Sequence, residues 1–155
     1  MDNSSTLIGL GLLLLFVGPI FYLIYSQNKK ERKKFKLFKQ IAAENNLQLD
    51  FTEFSKILIL GLDSTSRKLL YVEPINNHQS LIIDLKTIKT CEINTIDFPH
   101  RPGKINFISL HLKPKDNKSL IEITFYDEDD NISMDADIEM QLAQKWSNLI
   151  RRQLS

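Results

Sequence analysis

Residues 119–126 read SLIEITFY, and residues 138–154 read IEMQLAQKWSNLIRRQL. In the first stretch, Ile121, Ile123 and Phe125 alternate with Glu122, Thr124 and Tyr126, the period of a strand with one face in a core. In the second, Ile138, Leu142, Trp146, Leu149 and Ile150 recur at helical spacing and make one apolar stripe. The link between them, DEDDNISMDAD, is acidic, and Asp135 or Asp137 can cap the helix that follows. Acids at that end and Arg151 and Arg152 at the other suit the helix dipole. The pattern predicts a mainly β, α+β domain closed by a terminal helix, with Ile121, Ile123, Phe125, Leu142, Trp146, Leu149 and Ile150 in its core.

The same period-two texture runs back to residue 47. It predicts strands at Leu47–Phe51, Ile57–Leu62, Leu69–Pro74, Ser80–Leu85, Ile88–Ile96, Ile105–Lys113 and Ser119–Tyr126. Turn chemistry separates them: DSTSRK, NNHQ, DFPHRPGK and KPKDNK. About seven short antiparallel strands point to a sandwich or a small barrel. Cys91 is the only cysteine; it sits in an apolar alternating stretch and is assigned to the core, with no disulfide available.

Seven short strands and then one amphipathic helix with a Trp near its middle resemble the pleckstrin-homology (PH-like) superfold. The stretch SLIIDLKTIKTCEI looks like the hydrophobic-Asp-Leu strand junction of bacterial PH-like domains. An N-terminal apolar run followed by LLYVE, IIDL and LAQKW is similar to small bacterial single-pass membrane proteins. The resemblance covers about residues 50–155 and implies a bent barrel plugged by its C-terminal helix. Lipid-binding members carry a basic cluster around the first hairpin loop, for which this chain offers only Arg67 and Lys68 in DSTSRK. The resemblance therefore implies protein contacts rather than phosphoinositide binding, and a module that is not a catalyst.

Residues 7–25, LIGLGLLLLFVGPIFYLIY, contain no charge. As a helix, such a run spans about 28 Å, close to the hydrocarbon thickness of a bilayer. Pro19 is tolerated in a span, and Tyr22 and Tyr25 fall where an interfacial aromatic belt belongs. A cleaved signal is the rival reading and would export the domain, but residues 1–6 hold no base and no small-x-small pair follows the run.

Residues 26–40 carry Lys29, Lys30, Arg32, Lys33, Lys34, Lys36 and Lys39 against Glu31 alone. Residues 41–155 carry 13 Lys/Arg against 17 Asp/Glu. A nucleic-acid-binding domain spreads positive charge over a folded face; here the folded part is acidic, so no nucleic-acid partner is predicted. Positive flanks stay in the cytoplasm, which predicts an integral single span with the N-terminus out and the C-terminal domain in, at a bacterial inner membrane. The predicted layout is a tail over 1–6, a transmembrane helix over 7–25, a basic juxtamembrane helix over 26–46 and the PH-like domain over 47–155. Lys29, Lys30, Arg32, Lys33, Lys34, Phe35, Lys36 and Phe38 are the candidates for contact with the membrane and its anionic headgroups, each base worth about 1 kcal/mol there.

No motif for chemistry emerges. His78, His100 and His111 lack zinc-site spacing. Asp127, Asp129, Asn131, Ser133 and Asp135 have the odd-position spacing of a calcium loop, but Ile132 stands where the loop needs Gly and Ile138 where it needs Glu. No GxSxG, Walker or GxGxxG pattern occurs. The reading is a non-enzymatic interaction module with no catalytic residue, metal or cofactor, a protein partner, and anionic-lipid sensing through residues 29–39 as the alternative.

Overall fold

The computed structural model describes residues 17, 32–55, 57–73, 80–116, 119–130 and 135–154. The chain divides into two compact units, Met1–Gln40 and Ile41–Ser155. Apart from Val17, the apolar run over 7–25 lies outside the described residues, as do Lys29 and Lys30. Among the described residues, no helix is long and apolar enough to cross a membrane.

Residues 32–44 form helix α1. Its run of Lys, Phe, Leu, Gln and Ala, free of Gly and Pro, favours the helix. Asn46 ends it in the left-handed region, at φ 54°. The Leu47 N–H then donates to the Ala42 carbonyl at 2.9 Å and the Asn46 N–H to Ala43 at 3.1 Å, the paired closing bonds of a Schellman cap.

Seven strands follow: β1 Phe51–Phe54, β2 Ile59–Asp63, β3 Lys68–Val72, β4 Ser80–Asp84, β5 Ile88–Phe98, β6 Arg101–Pro114 and β7 Ile121–Asp127. Helix α2 spans Ala136–Leu154. The first strand begins four residues later than the alternation predicts. Leu47 is engaged by the helix cap, and the Asp50 N–H reaches Leu62 before pairing starts at Phe51. The DSTSRK turn joins β2 to β3, so it is the second hairpin rather than the first.

The strands make two antiparallel sheets, ordered β1-β2-β3-β4 and β5-β6-β7. No ladder joins them among the described residues, so the expected closed barrel is not formed and the strands stand as two separate sheets. The break comes at LKT, where Leu85–Thr87 makes a single 3-10 turn, η1. Asp84 accepts the Lys86 N–H at 3.0 Å and the Thr87 hydroxyl donates to the Asp84 carbonyl at 2.7 Å. That turn redirects the chain before β5 can extend the first sheet.

One core gathers residues from both sheets and α2, among them Leu60, Leu62, Leu69, Ile83, Leu110, Ile123, Phe125, Trp146 and Ile150. Full burial of each such side chain contributes about 1.5–3 kcal/mol. The register sets Leu62 opposite Leu69 and Leu69 opposite Ile83, which places them on the core face. Ile59, Leu70 and Val72 point to the other face, yet they too are buried. Both faces of β2 and β3 are therefore covered, which explains why ILGL reads as a continuous apolar run. Ala42 and Leu47 are likewise buried outside the main core cluster.

Candidate functional site

The described part of the basic segment is residues 32–39 of α1. Helical spacing sorts it into two sides. Leu37, Ile41, Ala42 and Phe38 fall on the covered side, and Phe38 is 1% exposed. Arg32, Lys33, Lys36 and Lys39 are exposed, and so is Phe35, at 41%. Lys34 is half-buried. The Lys39 ammonium stands 4.4 Å from the centre of the Phe35 ring, a cation–π pair on the helix surface. The arrangement presents an aromatic ring inside a field of cations. Phe35 and four bases thus share the exposed surface of the helix, while Phe38 leaves it.

The predicted core residues are placed as follows. Cys91, Ile123, Phe125, Trp146 and Ile150 are buried, and Ile121, Leu142 and Leu149 are partly buried against the same cluster. Burial pushes the Cys91 thiol up, against a weaker opposing pull from Ser147, whose hydroxyl oxygen lies 3.9 Å from the sulfur. A protonated, enclosed thiol is a poor nucleophile.

One polar cluster invites a chemical reading. Ser109 and His111 on β6 face Glu122 on β7. The Ser109 hydroxyl donates to Glu122 Oε1 at 2.8 Å, and His111 Nε2 lies 2.9 Å from the same oxygen. Hydrogen bonds with His111, then Ser109, hold the Glu122 carboxyl below the usual carboxylate range. A nucleophilic triad needs the imidazole between hydroxyl and carboxylate. Here the carboxylate is in the middle and Ser109 is fully buried, so the cluster is a cross-strand clasp.

The calcium-like acids serve the backbone. Asp127 accepts the Asp129 N–H at 3.0 Å, and Asp135 accepts the Asp137 N–H at 3.0 Å where α2 begins. Asn131 and Ser133 lie outside the described residues. No metal-holding group of three side chains occurs among the described residues. His78 lies outside them, and His100 is exposed in the β5–β6 turn.

Sequence reasoning missed a second gathering of charge. Arg67, Lys86 and Lys115 are far apart in the chain but converge on η1: the Leu85 N–H donates to the Arg67 carbonyl at 2.9 Å, and Lys115 Nζ donates to the Lys86 carbonyl at 2.7 Å. No local pattern signals it, because each base comes from a different connection.

No protein-family model matches the chain, no curated protein matches it, and no solved structure matches it.

Proposed function

We propose that the chain is a membrane-anchored, non-enzymatic interaction module. The apolar run over 7–25 is the anchor, the basic side of α1 lies at the anionic headgroups, and the α+β domain is offered to a protein partner on the cytoplasmic side. The observation that carries this reading is the exposed set Arg32, Lys33, Phe35, Lys36 and Lys39, close in sequence to 19 residues without a charge. Cations there fix orientation, and each adds about 1 kcal/mol of attraction to an anionic leaflet. Two antiparallel meanders of four and three strands followed by a Trp-bearing helix support a PH-like assignment of the domain.

The test is topology in cells. Ser5→Cys and Ser155→Cys chains are exposed to a membrane-impermeant maleimide, with alkaline carbonate extraction alongside. Residue 5 should label in intact cells and residue 155 only after permeabilisation, with the chain held in the pellet. Labelling of residue 155 in intact cells, release by carbonate, or loss of about 26 residues from the mature mass would overturn the reading.

The exposed Phe35 within the lysines favours a second reading, in which the same surface senses anionic lipid. Headgroup-dependent retention that Phe35→Ala abolishes would distinguish sensing from orientation alone.

A further inference from the structure

The acidic balance of residues 41–155 is not uniform over the domain. Strand register separates its charges along β6, the longest strand. At one end, η1 collects Arg67, Lys86 and Lys115 through the hydrogen bonds already described, and the Lys115 N–H also donates to the Thr87 carbonyl at 2.8 Å. Lys89 lies two residues beyond η1, next to Ile88, which pairs with Pro114. These four cations are exposed, among the described residues none is in an ion pair, and they outnumber the exposed acids beside them, Asp84 and Asp116; Lys113 is taken up by Glu92 at 2.8 Å.

Toward the other end of β6, Phe107 pairs with Ile96 on one side and Asp127 on the other. Lys115 and Phe107 are eight residues apart, about 26 Å of extended chain. At this far end Glu128 takes up Lys104 at 3.1 Å, and the exposed Asp97 and Asp129 outweigh the exposed Arg101, which pairs with Phe98. Each end also shows an apolar side chain to solvent: Leu120, just before β7, at 45% and Ile96 at 51%. Both ends thus have the make-up of an interface, an apolar residue rimmed by charge, but with opposite signs.

We infer that the η1 end of the domain docks on the Ile96–Asp129 end of a second copy of this chain. The occupant follows from charge complementarity. The domain itself carries the matching surface, present at equal concentration and displaced along β6. A flat anionic surface would satisfy only one of the two ends. Because the ends differ, the contact is head-to-tail and generates a ring or an open row rather than a two-fold dimer. It does not depend on how the chain is anchored.

The experiment is sedimentation velocity of the purified full chain in neutral detergent, at about 50 mM and about 0.5 M salt, where screening lengths differ severalfold. The complex should grow with concentration at low salt, at least about doubling in mass, and fall to the monomer at high salt. Lys86→Glu with Lys115→Glu should abolish growth, and so should Asp97→Lys with Asp129→Lys. Mixing the two variants should restore it, because their reversed ends complement one another. Melting curves identify any variant that fails to fold, and the salt series on the unaltered chain then decides alone. A chain that stays monomeric at low salt overturns the inference. So does association indifferent to salt, which belongs to the apolar run, or association that needs added anionic lipid, which assigns the η1 end to a bilayer.

Discussion

Arg151 Nε donates to the Cys91 carbonyl at 2.8 Å, so the last turns of α2 are pinned to β5 by a bond spanning 60 residues of sequence. Four residues earlier, Ser147 meets the Cys91 sulfur. Two residues before Ser147, in the middle of the helix, Lys145 reaches Glu53 on β1 at 2.7 Å. The helix is thus fastened to both sheets by polar contacts around the buried Trp146. Arg151→Ala should cost about 0.5–1.5 kcal/mol, the net worth of one hydrogen bond at a partly exposed site. Denaturant midpoints would show it, and an unchanged midpoint would remove Arg151 from the set of fastenings.

Trp146 is fully buried, and among the described residues its indole N–H meets no hydrogen-bond partner. Trp146→Ala should cost about 3–5 kcal/mol through the cavity it leaves. Trp146→Phe keeps much of the volume and discards an unpaired donor, so it should cost markedly less. Equal losses in the two variants would show that the indole N–H contributes to stability.

Asp63 is buried and bidentate. Its Oδ2 accepts the Gln48 N–H at 2.8 Å and its Oδ1 the Ser66 N–H at 2.8 Å. Burial pushes its pKa up, but the backbone donors outweigh burial and leave the pKa lowered. A depressed folded-state pKa means the stabilisation is present above the unfolded value of about 3.9 and is lost as pH falls through the lower folded value. Asp63→Asn offers one acceptor in place of two and should cost about 1–3 kcal/mol at neutral pH. It should also flatten the acid limb of the stability curve below about pH 4. An acid limb identical to that of the unaltered chain would refute the assignment.

At Asn46 the backbone needs the left-handed region. Asn46→Gly should be neutral or slightly stabilising, whereas Asn46→Val should cost more than about 1 kcal/mol, because a β-branched residue is disfavoured there. Thermal melts of the pair would order them.

Cys91 should resist a thiol reagent in the folded chain and react once the chain is unfolded in denaturant. Rapid reaction of the folded chain would contradict its enclosure.

The strands and the last helix were legible because their signals are local. Ile121, Ile123 and Phe125 alternate within five residues, and Leu142 to Ile150 repeat at helical spacing, so each element states its own buried side; Ile138, on the same stripe, departs from it and is 62% exposed in the first turn of α2. The basic character of residues 29–39 was legible for the same reason. Its division was only half legible: periodicity put Phe35 and Phe38 together as candidates, but a single helical turn separates an exposed ring from a covered one.

The sequence by itself determined which segments are strands and helices and where charge is dense along the chain, since propensity, periodicity and turn chemistry act between near neighbours. Only the tertiary structure decided that the strands split into sheets of four and three, because a three-residue turn at Leu85–Thr87 redirects the chain. It also brought Arg67, Lys86 and Lys115 to one end of the domain, because strand register, which no local pattern encodes, determines which distant residues share a place.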